Sequence, residues 1–518
     1  MPFPTEGKEW PPEDYRVWYN KIIEWSIWYS GEPQQLLNLY SSQQFFPDTD
    51  WGRFWARIEA EERANAVHLP AAGDVASTSA NLLFSEAPNF LYDLKAPGGD
   101  RIETFIKENG LLNILLEAAE MAAAMSGVFL KLDVEPKLVK IPILSVLTPL
   151  QAIPYFWRGR LWEVLFFRTV KEGFGGETIW RLFELRSREN DTLLIQYKLY
   201  KGSRDRVGRE VDMRSIDETA DLGLEDVRYN MPGLGCVYIP NMRPNRVMPG
   251  SPLGMSDFSG GVITLMDSLD FAWSSWMRDI ELGMAQIIVD EELLERPGGG
   301  IINQDSAGAQ ARFNKFQRAF IRMNMTSWRM GGESGVKPIE PVQFDIRVDE
   351  HLKTCESLFF QIVTQCGYSP QTFGMVEYGR QTDSGTALRI RERKSLLTRE
   401  KKSRYWQPAL WDLLWQMQLL DVVSGLSPSY QPQEVVVELQ DSVIADDIER
   451  SETLRNLDQA RAISTYQKVK LLHPDWDEED VEEEVKRILD DQGAGPMPFF
   501  DEEEEREREE EEKKKGVI

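Results

Sequence analysis

The sequence predicts an α+β fold that is mainly helical, with a strand-rich region in its first half. Helical segments are expected at 13–65 and 101–126. Between Gly127 and Ile239 the pattern changes to short runs rich in β-branched and aromatic residues, separated by turns that contain Gly, Asn or Asp. Helical spacing of apolar residues returns at 260–294 and continues through most of the remaining chain. Short runs separated by turns predict an antiparallel sheet, and strands clustered after helices predict the α+β class.

The first helical segments are expected to contribute side chains to the hydrophobic core. Aromatic side chains recur throughout 13–65, and a core or subunit contact explains them better than nucleic-acid stacking, because the stretch is not basic. Small residues at 71–86 would let a helix pack closely on a neighbour. The segment 101–126 is strongly helical in propensity, and apolar residues from Ile106 to Ala122 form a helical stripe.

A long helix is predicted at 260–294, about 50 Å long at roughly 1.5 Å per residue. Asp257 or Ser259 could cap its start. A turn-rich module at 301–347 separates it from a second helix at about 348–366. Within that module we expect a short helix near 308–318 and strands near 319–328 and 340–347.

The second half continues with a long loop at 367–385 that contains four glycines, and long loops in compact proteins are usually functional. A long helix is predicted at 386–423, and two or three more helices at 440–490. The acidic run at 501–512 has ten acids and two bases, which predicts a disordered segment or a frayed, charged helix.

The net charge of the 518-residue chain is −26. Such a charge argues against ordinary tight binding of nucleic acid, which needs Lys and Arg to neutralise phosphates. It does not argue against a passage through which DNA slides, because such a passage should repel phosphate.

Cysteine usage and the N-terminus indicate the compartment. The three cysteines form no CxxC pair, and Cys355 and Cys366 would lie about 16 Å apart along one predicted helix, too far for a disulfide. The N-terminus has no secretory pattern, and no run of 18 apolar residues occurs. We expect a protein made in the cytoplasm that neither contacts nor crosses a membrane.

No motif for catalysis or for a cofactor occurs in the sequence: HExxH, GxxxxGK and GxSxG are all absent. The three histidines are widely scattered, which disfavours a metal site. We therefore expect no cofactor, no metal and no enzymatic activity. The alternative is an acidic hydrolase with paired carboxylates, which rests only on the abundance of Asp and Glu.

The segment 389–404, RIRERKSLLTREKKSR, carries eight basic and two acidic residues, a net charge of 8 − 2 = +6. One interpretation is a helix face that is solvated or pairs with an acidic neighbouring subunit. The other is salt-sensitive, sequence-blind contact with the DNA backbone. The basic residues are Arg389, Arg391, Arg393, Lys394, Arg399, Lys401, Lys402 and Arg404.

Four stretches, taken in their order, resemble the portal proteins of long-tailed bacteriophages, in the class common among actinobacterial viruses. They are HLPAAGDVASTSANLLFSEAP (68–88), FIKENGLLNILLEAAEMAAAMSGVFLKLDV (105–134), SPLGMSDFSGGVITLMDSLDFAWSSWMRDIELG (251–283) and GYSPQTFGMVEYGRQTDSGTALRIRERKSLLTREKKSRYW (367–406). The likeness runs over about residues 15–425 and implies the portal-protein fold.

The resemblance implies a division of the chain into the regions of a portal subunit. These are a wing at 1–255, stem helices at 256–290 and 348–367, a clip at 291–347, a tunnel loop at 368–385, a long wing helix and connection at 386–439, and a helical crown at 440–490. The acidic tail at 491–518 is not a family feature.

The resemblance also implies roles for particular residues. In the tunnel loop, Gln371, Tyr378, Arg380 and Gln381 are expected near DNA. On the first stem helix, Asp267 and Asp270, with Asp279 and Glu281, are candidates for an acidic channel lining. Trp273 and Trp276 are expected to be packing anchors, either between subunits or within one chain.

The partners implied are further copies of the chain, usually twelve in a ring, and double-stranded DNA that passes non-specifically through the channel. The terminase large subunit and a head-completion or adaptor protein would dock outside the head, and major capsid and scaffold proteins would surround the ring. The expected location is the portal vertex of the virion, after assembly in the host cytoplasm. A separate ATPase would supply the packaging force.

Overall fold

The computed structural model describes residues 3–41, 52–58, 66–222, 226–283, 286–290, 320–323, 339–342, 346–375, 385–428, 430–439, 454–460, 462–473, 476 and 478–491. The chain forms two compact units. One comprises 1–379 with 391–442, and the other comprises 380–390 with 443–518.

The first unit begins with helices that bury an aromatic core. They are α1 (Glu13–Ser30), α2 (Pro33–Ser41), α3 (Phe54–Arg57) and α4 (Ala71–Phe84). Helix α1 starts directly after Pro12 with two acidic residues in its first turn, where negative charge favours the helix dipole. Trp18, Trp25 and Trp28 of α1 are fully buried, so the aromatic pattern of this region is a core pattern.

The helical segment predicted at 101–126 is two helices, α5 (Gly99–Glu108) and α6 (Leu111–Met125). Gly110 separates them with φ +59°, a left-handed conformation that glycine adopts without steric cost. The helical prediction for this region is therefore confirmed, although apolar spacing continues across the break and does not locate it. Ala118, Ala119 and Ala122 of α6 are buried, and their small side chains allow close packing on α4.

The strand-rich region forms antiparallel sheets, as predicted. The strands are β1 (Asn89–Leu91), β2 (Gly127–Asp133), β3 (Ile143–Leu147), β4 (Ala152–Trp157), β5 (Arg160–Glu172), β6 (Ile179–Glu189), β7 (Thr192–Ser203), β8 (Arg206–Val211), β9 (Val227–Tyr229) and β10 (Cys236–Pro240). One sheet has the order β10-β2-β3. The other has the order β4-β5-β6-β7-β8, with β9 paired to β7.

A second group of elements is built on two long helices, α7 (Val262–Leu282) and α8 (Val348–Cys366). Between them in sequence lie β11 (Gln286–Asp290), β12 (Phe320–Met323) and β13 (Ile339–Val342). Strand β11 pairs in parallel with β12 and antiparallel with β13. The strands expected near 319–328 and 340–347 are therefore present, whereas the short helix expected near 308–318 lies outside the described residues.

Two predictions about α7 were wrong. The helix ends at Leu282 instead of continuing to 294, and β11 occupies part of the sequence assigned to it. The β-branched run Gln286–Asp290 favours a strand, and Gly283 precedes it. At the other end, Gly261 is the N-cap and no side chain caps the helix, so neither Asp257 nor Ser259 has that role.

The last elements of the first unit are α9 (Gly385–Val423), of which residues 391–423 belong to this unit, and β14 (Val436–Glu438), which pairs with β1. The start of α9 is within one residue of the prediction. Trp406, Leu410 and Leu413 of α9 are buried in a second apolar cluster together with residues of α5, α6 and β2.

In the second unit, helices α10 (Thr465–Leu472) and α11 (Glu478–Asp491) follow a helical turn at 454–459. The Ser464 hydroxyl accepts a hydrogen bond from the Gln467 N–H and caps α10. Helices were predicted at 440–490, and these segments confirm that expectation. No helix in the described part of the chain is both long and apolar enough to cross a bilayer.

Candidate functional site

Helices α7 and α8 pack against each other in antiparallel orientation. The Asp279 carboxylate, near the end of α7, accepts a hydrogen bond of 2.7 Å from Arg347 Nη2. It lies 2.9 Å from His351 Nε2, in the first turn of α8. Hydrogen bonds from His351 and Arg347 lower the pKa of Asp279. These contacts hold the two helices together at the end where the chain leaves them for β11, β12 and β13.

The Trp273 and Trp276 rings connect α7 to its surroundings. They meet edge to face, with centroids 5.2 Å apart, and both pack on the main apolar cluster of the first unit. The Trp276 ring also stacks on His351, at 6.0 Å and an interplanar angle of 3°. In the single chain both side chains are therefore intrachain anchors, which was one of the two roles expected for them.

The Asp267 and Asp270 side chains of α7 are buried and do not offer their charge to solvent. Asp270 accepts hydrogen bonds from Trp55 Nε1 at 2.9 Å and from the Leu69 N–H at 2.9 Å, and its Oδ2 lies 2.7 Å from His68 Nδ1. Asp267 accepts the Phe54 N–H at 2.8 Å. The expectation that these two acids line a channel was therefore wrong for the folded chain.

These carboxylates have a structural role, because the segments 52–58 and 66–69 depend on them for hydrogen bonds. A backbone N–H group that is buried without a hydrogen-bond partner lowers the stability of the fold. The two aspartates accept three such groups: Asp270 accepts the Leu69 N–H, and Asp267 accepts the Phe54 N–H and, at 3.5 Å, the Trp55 N–H. Burial raises the pKa of Asp267, although the hydrogen bonds from Phe54 and Trp55 oppose that rise.

A buried ionic group joins four parts of the chain that are distant in sequence. Lys402 Nζ lies 2.8 and 2.6 Å from the two carboxylate oxygens of Asp257, 2.6 Å from Ser79 Oγ and 3.0 Å from the Tyr368 hydroxyl. The Tyr368 hydroxyl donates to Asp257 at 2.6 Å. Burial lowers the pKa of Lys402, and the Asp257 charge opposes this. We call these four residues the Lys402 cluster.

The Lys402 cluster stands beside the start of the 367–385 loop. The Ser369 N–H donates to Ser395 Oγ at 2.8 Å, and the Thr398 hydroxyl donates to the Gly367 carbonyl at 2.6 Å. Gly367 has φ +99°, and an added Cβ there would lie 3.1 Å from the Thr398 hydroxyl, which explains the glycine. Helix α9 therefore fixes the backbone where α8 ends and the loop begins.

The loop residues expected near DNA are only partly described. Gln371 lies in a short 3₁₀ turn, Pro370–Phe373, and its Oε1 atom is buried with no hydrogen-bond partner among the described residues. Tyr378, Arg380 and Gln381 lie outside the described residues. The three are therefore still predictions.

The basic segment is not one continuous cationic face. Lys402 and Arg399 are buried, and Arg399 Nε donates to the Leu82 carbonyl at 2.7 Å. Lys394 donates to the Thr364 carbonyl. The exposed basic side chains are those of Arg393, Lys394, Lys401 and Arg404, and the side chains of Arg389 and Arg391 lie outside the described part. For Arg399 and Lys402, the expectation of a surface role was wrong.

Another charged group lines a cleft of about 870 Å³ on the sheet that contains β6. Arg186 is buried and donates to Glu184 at 2.6 Å and to Asp133 at 2.6 Å, while Lys131 donates to Glu184 at 2.9 Å. Burial alone would raise the pKa of Glu184, but the charges of Arg186 and Lys131 lower it to about 2. A general acid at neutral pH needs the opposite shift, so this carboxylate does not fit the hydrolase alternative.

No group of three or more His, Cys, Asp or Glu side chains within the described residues is arranged to hold a metal ion. The three cysteines are buried and unpaired. Sequence reasoning missed the roles of Asp257, Tyr368 and Arg186. Asp257 stands shortly before a predicted helix, a position that reads equally well as an N-cap.

A family model matches mainly the second half of the chain. Residues 259–495 match the family model described as "Phage portal protein, SPP1 Gp6-like". Among solved structures, a similar chain occurs in "Neck of empty GTA particle computed with C6 symmetry", with 13% identity and a TM-score of 0.38 over 80% of this chain and 92% of that chain. A comparison with curated proteins finds no match. The family match covers both long helices, the loop between α8 and α9, and the helices up to α11.

Proposed function

We propose that the chain is a bacteriophage portal subunit, copies of which form a ring around a channel for double-stranded DNA at one capsid vertex. The observation that carries the proposal is the match of residues 259–495 to the phage portal family model. The ring would serve genome packaging and ejection, and its expected size is twelve subunits. The actinobacterial, long-tailed class remains part of the proposal.

The antiparallel pair α7 and α8 fits a channel wall. At about 1.5 Å per residue, the 21 residues of α7 make a rod roughly 30 Å long. The segment between the two helices would be the clip, the loop after α8 the tunnel loop, and 440–490 the crown. The Asp279 contacts would then brace the stem beside the clip.

Large apolar side chains on the helix pair support contact with a neighbouring copy. In the single chain Leu352 is 42% exposed and Phe360 is 50% exposed, and both lie on α8 at positions that share one face. Phe271 of α7 is similarly exposed. Exposed apolar surface of this kind usually marks an interface, and adjacent subunits in a ring would bury it.

Because Asp267 and Asp270 are buried, other carboxylates must repel the DNA phosphates in the proposed channel. Glu350, in the first turn of α8, is exposed and lies away from the face that Leu352 and Phe360 share, so it remains available. Carboxylates that face water inside a narrow channel would repel DNA phosphates without binding them. We therefore propose that α8 contributes to the acidic lining through Glu350.

The proposed partners follow from the same arrangement. The terminase large subunit and head-completion or adaptor proteins would dock on the clip, and scaffold and major capsid proteins would surround the ring in the virion. The chain would have no catalytic role, with force supplied by a separate ATPase. We propose that Gln371, Tyr378, Arg380 and Gln381 act near DNA in the tunnel loop.

Electron microscopy of the purified protein, viewed end-on, tests the central proposal directly, together with native mass spectrometry. We expect closed rings with a central hole. The double substitution Leu352→Ser/Phe360→Ser should abolish them, while Leu138→Ser, at a site 73% exposed in the wing, should leave them intact. A wild-type protein that stays monomeric at every salt concentration would contradict the proposal.

A second experiment addresses the tunnel loop. Deletion of residues 374–382 should leave ring assembly unchanged and impair packaging or retention of DNA, because the deletion spares the hydrogen bonds at 367–369 that fix the start of the loop. Assembly is measured by native mass spectrometry and packaging by the DNA content of particles. Failure of the deleted subunit to assemble would show that the loop is needed for folding.

A further inference from the structure

The turn between β4 and β5 has an unusual residue at its tip. Trp157 pairs with Arg160, so Arg158 and Gly159 form a two-residue hairpin turn. Their φ angles are +50° and +79°. Asn, Asp and Gly are the residues that favour such a turn, and an arginine there costs about 1 kcal/mol of backbone energy. A backbone cost at an exposed tip suggests that the Arg158 side chain has a use outside the fold.

The hairpin forms one wall of a cleft of about 820 Å³, and α9 forms another. Five arginines line it, two from the hairpin and three from separate places in the sequence. They are Arg158, Arg160, Arg188, Arg243 and Arg404. Among the described residues, none of the five has a carboxylate oxygen within 4.0 Å. We call this site the cationic cleft.

The charge of the cationic cleft contrasts with that of the chain. Asp412 is the acidic residue among those that line it, so the lining carries 5 − 1 = +4. The chain as a whole carries −26, which leaves −26 − 4 = −30 for all other residues. Asp412 interacts electrostatically with Arg188, and an acidic surface brought into the cleft would relieve the repulsion among the remaining positive charges.

Aromatic side chains at the mouth of the cleft are exposed to solvent. Trp157 is 55% exposed and Trp162 is 42% exposed, and Trp411 of α9 is also exposed. The Trp411 ring stacks on Trp415 at 6.0 Å. Tryptophan and arginine together are the residue types that dominate the binding energy of protein interfaces.

We infer that the cationic cleft receives an acidic surface of a neighbouring copy of this chain. The inference rests on the proposed ring, in which each subunit presents one surface to a different surface of the next. A second copy fits better than DNA. Outside its own cleft, the second copy has a strongly negative net charge, which complements the arginines. A long phosphate polymer would instead be repelled by the rest of the subunit that contains the cleft.

The test is the double variant Arg158→Glu/Arg160→Glu, compared with the control Lys8→Glu/Arg209→Glu. Both pairs are exposed, both make the same change in charge, and the control side chains do not line the cationic cleft. The concentration at which half the subunits are assembled should rise at least tenfold for the first variant and stay unchanged for the control. Native mass spectrometry across a dilution series gives this midpoint, and circular dichroism confirms that both variants fold.

Tryptophan fluorescence supplies a second measurement that does not depend on a variant that assembles poorly. Trp157 and Trp162 lose water contact if the cleft is filled, so emission of the wild type should shift to the blue on assembly. Trp157→Phe/Trp162→Phe should remove most of that shift.

The outcomes separate this inference from the proposed function. A wild type that never assembles overturns both. Rings that form equally well from the wild type and from Arg158→Glu/Arg160→Glu overturn the inference and leave the portal proposal standing. Binding of a fluorescent 20-base-pair duplex that this variant loses, with ring assembly unchanged, would show that the cleft takes nucleic acid instead.

Discussion

Replacing Lys402 with Met is the sharpest test of the Lys402 cluster. The substitution keeps the length and apolar stem of the side chain and removes its charge and its hydrogen bonds to Asp257, Ser79 and Tyr368. The Asp257 carboxylate then remains buried without a counter-charge. Breaking a buried ion pair in this way costs about 3–5 kcal/mol.

The structure places the expected loss at the lower end of that range. Asp257 would still accept hydrogen bonds from the Tyr368 hydroxyl at 2.6 Å and from Asn241 Nδ2 at 2.7 Å. These donors partly compensate the lost ammonium group, so we expect the free energy of unfolding to fall by about 3 kcal/mol. Urea unfolding followed by tryptophan fluorescence measures it, at one protein concentration because assembly adds stability.

Two variants control this measurement. Lys401 is the adjacent residue and is exposed, so Lys401→Met should change the free energy of unfolding by no more than about 0.5 kcal/mol. The double variant Asp257→Asn/Lys402→Met leaves no buried charge unpaired, and it should recover at least about 1 kcal/mol relative to Lys402→Met. If Lys402→Met is as stable as Lys401→Met, the reasoning about this cluster is wrong.

Two further stability predictions follow from the buried carboxylates. Asp270→Ala removes the acceptor of three hydrogen bonds and should lower the free energy of unfolding by at least about 3 kcal/mol. The control Asp279→Ala, at a more exposed position, should cost much less. Equal losses in the two variants would contradict the anchoring role of Asp270. The pKa of Glu184 is lowered from 4.5 to about 2, so its ionised form contributes stability above pH 4.5 that is lost as the pH falls towards 2. The deficit of Glu184→Gln relative to the wild type should therefore be about 3 kcal/mol at pH 6 and shrink between pH 4.5 and 2 in unfolding experiments, whereas a deficit independent of pH would exclude the charge as its cause.

The sequence predicted the elements that rest on local periodicity. Helix α8 has the predicted bounds, and α9 begins within one residue of its predicted start. In both cases a strong local signal, a glycine at the C-terminal end or a glycine-rich loop before the helix, marks the boundary. The α+β class and the antiparallel pairing follow from the same kind of signal, because alternation and turn residues act over a few positions.

Prediction failed where a boundary depended on competing local signals. The segment Gln286–Asp290 satisfies helical spacing if it is read as a continuation of α7, and strand propensity if it is read alone. Pairing of β11 with β12 and β13, which are distant in sequence, decides in favour of the strand. The break at Gly110 is similar, because a single glycine inside an apolar pattern does not reveal whether the helix ends there or continues.

Within the candidate site, the burial of charged side chains is the feature that the sequence predicted least well. A charged residue on a predicted helix is exposed by default, and this expectation was wrong for Asp267, Asp270 and Lys402. Their partners are 201 to 215 residues away for Asp270, and 145 residues away in the pair of Lys402 with Asp257. Spacing along one helix carries no information about a partner on another element.

One signal on α9 could have identified the burial of Lys402. Ser395, Thr398, Lys402 and Trp406 recur at steps of three and four residues, and all four are buried. Arg399 lies on the same face, three residues before Lys402, and is buried as well, so the hydroxyl side chains and the tryptophan distinguish this face from a solvent face, not a lack of charge. On the same helix Lys401 and Arg404 fall outside this face and are exposed.

The position of the Lys402 cluster bears on why the chain keeps a buried charge pair at all. Asp257 lies five residues before the start of α7, Tyr368 lies two residues after the end of α8, and Lys402 lies on α9, so one ion pair and one hydroxyl set the relative positions of three elements. Apolar side chains would fill the same space with comparable stability but would tolerate sliding along the helix axes. A carboxylate that must lie 2.6 Å from both an ammonium group and a hydroxyl group tolerates much less sliding along the helix axes. We infer that the pair fixes the register of the two long helices against α9, and that Asp257→Leu/Lys402→Met should keep stability while losing uniform ring size in native mass spectrometry. A single ring size in that variant would show that apolar packing alone sets the register.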